Sequence, residues 1–99
     1  MKAIWNNTVI AEADKDKLIY IEGNWYFPRE SVNDEYLDMS DHRSHCFWKG
    51  DASYYDIVVK GERNENAAWY YPEPMFGAVD KVGKDFTNYV AFWHGVTVQ

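Results

Sequence analysis

The sequence predicts a mainly β domain carrying one short helix, and three observations lead there. Apolar and polar residues alternate with period two over much of the chain, so successive side chains leave opposite faces of a strand. Short β-rich runs are separated by turn residues such as Gly23-Asn24 and Lys49-Gly50-Asp51. Five Trp, eight Tyr and five Phe supply the large buried areas that a small core requires. The 99 residues form a single domain, 1–99, with no repeat, linker or low-complexity tract.

Residues 2–5 are expected at a sheet edge. Residues 8–12 and 18–22 read as a hairpin joined by the polar stretch 13–17, and Trp25-Tyr26-Phe27 as the next short strand. Pro28 suits a first helical position and Glu30 the positive helix end. Val32, Tyr36 and Leu37 recur at helical spacing, so the one helix is expected over residues 28–37. Residues 43–48 and 52–60 form a second hairpin around Lys49-Gly50-Asp51. In its second strand Ser53, Tyr55, Ile57 and Val59 face one way, and Tyr54, Asp56, Val58 and Lys60 the other. A polar loop is expected at 61–66, then a strand at 67–71 that Pro72 and Pro74 end, since neither can donate to a ladder. Gly77 and Gly83 limit any helix within 75–88 to a turn or two. Residues 89–93 and 96–98 read as the last strands.

The net charge of −6 is shared evenly by the two halves of the chain and repels a phosphate backbone, so no nucleic acid is expected. A small molecule, a protein partner or another copy of the chain suits that charge better. One cysteine excludes an intrachain disulfide and every multi-cysteine zinc site. Asp41, His42, His45 and Cys46 are packed too closely along an extended segment to converge on one ion, so no metal is expected, and no cofactor motif stands out. The first residues lack a signal-peptide core and no apolar run reaches membrane-spanning length. A cytoplasmic protein without a membrane segment is the expectation.

Several motifs together carry a resemblance. They are Glu22-Gly23 with Tyr26-Phe27-Pro28, Cys46-Phe47-Trp48-Lys49-Gly50, Ala52-Ser53-Tyr54-Tyr55, Ala68-Trp69-Tyr70-Tyr71-Pro72-Glu73-Pro74, Val90-Ala91-Phe92-Trp93 and Gly95-Val96-Thr97-Val98. In this order they resemble a family of small bacterial domains catalogued as domain of unknown function 427, over essentially the whole chain. The resemblance implies a β-tent-like architecture, two small antiparallel sheets packed together over an aromatic core. Domains of similar fold include zinc-binding proteins, methionine sulfoxide reductases and an aromatic-cage ligand binder. Phe47 stands where the family more often has Pro, and Asn7 where it usually has Gly. Some catalogues label the family a nucleotidyltransferase. The paired carboxylates and phosphate-cradling glycine loop that such chemistry uses are not found in this sequence.

The densest chemistry lies between Ser40 and Val59. Cys46 is a candidate nucleophile that Lys49 and nearby tyrosines would activate, weighed against a buried structural thiol. Trp48, Tyr55, Trp69, Tyr71 and Trp93 come from separate strands and could wall a cavity, weighed against plain core packing. Tyr54 and Tyr55 face opposite sides. Tyr55 shares its face with Ile57 and Val59, so Tyr54 is the one expected in the cavity. The expected ligand site is thus lined by Trp48, Tyr54, Trp69 and Tyr71 beside the Lys49-Gly50 turn, with Lys49 and Glu73 at its polar rim. The primary reading is a binding module for a small planar or cationic ligand. A small enzyme using Cys46 and Lys49, and a scaffold for protein contacts, are the alternatives.

Overall fold

A computed structural model describes residues 1–99. Its strands form three antiparallel sheets. Strands β1 (Lys2–Trp5) and β2 (Thr8–Glu12) pair with each other, and β1 also pairs with the terminal β9 (Thr97–Val98). A two-stranded ribbon joins β3 (Ile19–Ile21) to β4 (Asn24–Tyr26). The largest sheet has the order β5 (Leu37–Cys46), β6 (Gly50–Val59), β7 (Glu62–Tyr70), β8 (Ala91–Phe92). One short helix, α1 (Ala78–Val82), completes the fold. This is the mainly β fold with one short helix that the sequence predicts, built from three small antiparallel sheets where the family resemblance implies two.

Three hairpins close on two-residue turns with both residues in the left-handed region: Asn6-Asn7, Glu22-Gly23 and Lys60-Gly61. That turn geometry matches the right-handed twist of the flanking strands. Asn and Gly adopt it readily. Glu22, at φ 51°, does so at a cost of about 1 kcal/mol.

Alternation along β6 divides the core between the two faces of the large sheet. Ile57 and Val59 belong to a first cluster with Ala3, Ile10, Ala11, Phe27, Val32, Val90 and Phe92, and half-buried Tyr55 packs against it. Ala52 and Tyr54 belong to a second cluster with Ile19, Ile21, Tyr26, Tyr71, Ala78, Phe86 and Ala91. The three-stranded sheet covers the first face; the β3–β4 ribbon and α1 cover the second. The pairing of Tyr54 with Trp69 carries the division into β7.

Five local expectations are corrected. Residues 8–12 and 18–22 do not form a hairpin: β2 pairs with β1 and β3 with β4, because the tighter turns close first neighbours. Residues 2–5 are the central strand of their sheet, not an edge. The helix expected over 28–37 is two 3-10 turns, Arg29–Ser31 and Asp34–Tyr36, separated by extended, buried Val32, which bridges Ala11. The Ser31 hydroxyl donates to the Pro28 carbonyl at 2.6 Å, and the Asn33 side chain accepts from the Glu35 N–H at 3.2 Å. Such local side-chain bonds compete with a continuous helix. The α-helix lies instead in the 75–88 stretch, confined between Gly77 and Gly83. Last, residues 62–66 belong to β7 rather than a loop, and the β5–β6 turn is 47–49 rather than 49–51.

Candidate functional site

The candidate site forms where the β5–β6 turn meets the β3–β4 turn and the segment before α1. Lys49 ends the first turn and is 7% exposed, the only buried ionisable side chain besides the tyrosines. Its ammonium bonds the Glu22 carboxylate, which stands half exposed on the strained Glu22-Gly23 turn. The Lys49 hydrogen bond and charge hold Glu22 below the usual carboxylate range, with the Trp48 indole and the Lys81 charge adding to the effect against some desolvation. The unfavourable Glu22 backbone thus places an anion against a buried cation, the kind of local strain that collects at functional sites.

Trp48 stands between this ion pair and an open cleft. Lys49 Nζ lies 5.0 Å from its ring centroid and Lys81 Nζ 4.5 Å. The cleft, about 270 Å³, is walled by Phe47, Trp48, Met75, Phe76, Ala78 and Lys81. Phe47 is 83% exposed and Phe76 fully so. Two close contacts hold the 73–76 segment over the turn. The Met75 N–H donates to the Lys49 carbonyl at 2.8 Å, and Gly50 packs so tightly that a Cβ there would meet Met75 N at 3.1 Å and the Glu73 carbonyl at 3.3 Å. Gly50, at φ 112°, is required on both counts.

Behind Trp48 lies the polar centre of the second cluster. The Trp69 indole donates to the Tyr26 hydroxyl at 3.1 Å, and the Tyr54 and Ser44 hydroxyls are 2.8 Å apart. Burial pushes the Tyr71 hydroxyl far above its ordinary pKa, and the neighbouring Tyr26, Cys46 and Tyr54 push the same way. Burial also raises Tyr26, against the Trp69 bond. The Tyr26 and Tyr71 hydroxyls are therefore neutral hydrogen-bonding groups, not bases.

The structure brings Cys46, Trp48, Tyr54, Trp69 and Tyr71 to one cluster, with Cys46, Trp48 and Trp69 at its half-buried margin. Tyr54 and Tyr71 are packed inside it, and of the four expected lining residues only Trp48 borders the open cleft. Lys49 lies inward rather than on an exposed rim, while Glu73 is exposed and approaches through its backbone. Tyr55 takes the opposite face, stacked on Tyr70 at 4.6 Å. Trp93 packs edge-on to Trp69 at 5.3 Å and stacks on His94 at 4.2 Å. His45 is bonded to Asp51 at 2.7 Å, and His42 lies edge-on to Tyr54. No three of the His, Cys, Asp and Glu side chains are grouped to hold a metal ion.

Sequence reasoning missed Phe47, Met75, Phe76 and Lys81 as cleft walls. Their signal was proximity in chain to Trp48 and to the Pro72-Glu73-Pro74 segment, which returns over the turn.

A family model described as Domain of unknown function (DUF427) matches residues 1–99. The chain belongs to this family. No curated protein matches it. Membership in DUF427 agrees with the motifs around Cys46, Trp48 and Trp69, and leaves the chemistry to the geometry of the site. No helix of this DUF427 domain is long and apolar enough to cross a membrane.

Proposed function

We propose that this DUF427 domain is a binding module that takes a small planar ligand against Trp48, in the cleft between the β5–β6 turn and α1. One observation carries the reading: an indole with two ammonium groups over it borders an open apolar cleft, next to the ion pair of buried Lys49 with half-exposed Glu22. A flat ring would pack against the edge of Trp48 and bury against Phe47, Met75 and Phe76, while Lys81 meets a carbonyl or carboxylate on its edge. A cationic ligand fits less well, because Lys49 and Lys81 already occupy the cation–π positions and would repel it.

The enzyme reading has less support. His45 is held by Asp51, His94 is stacked on Trp93 and Lys49 is engaged by Glu22, and none of the three hydrogen-bonds Cys46. Protein contact is the second reading, favoured by the exposure of Phe47 and Phe76 on adjoining loops.

A thermal-shift screen of nucleosides, amines and small heterocycles tests the proposal on wild type, Trp48→Ala and Cys46→Ala. The expected result is a planar compound that raises the melting temperature of wild type and Cys46→Ala but not of Trp48→Ala. Chemical turnover lost in Cys46→Ala would overturn it in favour of the enzyme. Absence of any stabilising compound, with self-association lost in Phe47→Ser or Phe76→Ser, would overturn it in favour of the protein contact.

A further inference from the structure

A second cleft opens on another part of the β5–β6 hairpin, about 540 Å³ in volume, and its walls are Arg43, Ser44, His45, Asp51, Ser53 and Pro72. None of these is a large apolar residue. The chain has three arginines, and two are neutralised: Arg29 by Asp34, Arg63 by Asp38 at 2.9 Å and Asp56 at 2.8 Å. Arg43 has no carboxylate partner. Only its Nη1 is engaged, donating to the Ser40 carbonyl at 2.9 Å and the His42 carbonyl at 2.7 Å. Those two bonds span a bulge in β5, where the register slips between Met39 and Arg43, and they hold the guanidinium in place.

The surroundings favour an anion. Arg43 pairs directly across from Ser53, whose side chain is 7% exposed, and Ser53 in turn pairs with Tyr70. The one acid in the cleft, Asp51, is already engaged by His45 Nδ1 at 2.7 Å. A fixed guanidinium with unused N–H groups beside the Ser53 hydroxyl and an imidazole is the donor set that recognises planar or tetrahedral oxyanions. Arg43 is the one arginine of the chain without a carboxylate partner.

We propose that this cleft binds the oxyanion group of a small molecule, a phosphate or a carboxylate, with Arg43 as the principal ligand and Ser53 and His45 around it. The site is separate from the Trp48 cleft, and neither depends on the other.

Inorganic phosphate and acetate, titrated separately into the full chain and followed by amide and arginine side-chain NMR shifts, test it. The expected result is saturable shifts at Arg43, Ser44, His45 and Ser53 with at least one of the two anions. Saturation by phosphate alone identifies a phosphoryl site, by acetate alone a carboxylate site. Arg43→Gln should weaken binding at least tenfold. Arg43→Lys, which keeps the charge and loses the fork, should weaken it less. Lys2→Gln, which removes one positive charge from a different sheet, should leave it unchanged. Shifts that do not saturate with either anion, or that survive in Arg43→Gln with a native spectrum, would overturn the proposal.

Discussion

The two faces of the large sheet carry cores of different chemistry. The first cluster is aliphatic with Phe27 and Phe92, and no hydroxyl belongs to its buried set. The second contains Tyr26, Tyr54 and Tyr71, bordered by Cys46, Trp48 and Trp69. A dry core gains from every buried methylene, whereas a core of tyrosines must also satisfy each hydroxyl and indole N–H. The second face accepts that added demand exactly where a buried lysine, a strained glutamate and an open cleft adjoin it. On the proposed reading the contrast is a division of labour within one small domain, in which one face supplies stability and the other supports the proposed site.

Substitutions that affect the two faces differently test this division, and the largest effect belongs to the dry core. Ile57 is fully buried there, and Ile57→Ala should cost about 3–4 kcal/mol by chemical denaturation. Binding at the Trp48 cleft should persist in whatever fraction stays folded. Gly50→Ala comes next, at about 1–3 kcal/mol, because its Cβ would press on the backbone at Glu73 and Met75. Unlike Ile57→Ala, it should also disturb the cleft walls, seen as amide shifts at residues 73–78.

The ion pair should contribute less. Glu22→Gln removes the charge opposite Lys49 and should cost about 1 kcal/mol, since half-exposed Glu22 leaves water a route to the ammonium. Because the fold lowers the Glu22 pKa, this contribution is complete above the unfolded value and disappears as pH falls through the lower folded value. Acid titration should therefore narrow the gap between wild type and Glu22→Gln. A gap constant from neutral pH to pH 2 would contradict the pairing.

Tyr71 provides the opposite sign. Its folded pKa is raised by burial, so stability holds below the unfolded tyrosine value and falls as pH climbs above about 10, where the unfolded chain ionises first. Tyr71→Phe should reduce that alkaline loss while changing neutral stability by no more than about 1 kcal/mol.

Much of this contrast is legible in the sequence where side chains alternate along one strand. The opposed directions of Tyr54 and Tyr55 follow from period two alone, and the structure places them against different clusters. The neighbourhood of Trp48 and Lys49 is legible because it is contiguous. The Lys49–Glu22 pair is not, since its members lie 27 residues apart and meet only after two hairpins fold. The helix expected over 28–37 fails for a related reason. Val32 has helical spacing with Tyr36, but burying it against β2 favours an extended residue, and Ser31 and Asn33 stabilise turns on either side. Local pattern specified the strands, and tertiary contact decided which of them paired.

The most direct test of the division is a fragment titration of uniformly labelled wild-type protein, read at the five indole N–H resonances and the backbone amides. The expected result is a planar fragment that shifts the Trp48 indole together with amides of Phe47, Met75, Phe76 and Lys81. The amides of Ile10, Ile57 and Val59 in the dry core should stay unmoved. Fragments that shift the first cluster while leaving Trp48 still, or that leave both faces unchanged across the library, would contradict the assignment of the site to the tyrosine-bearing face.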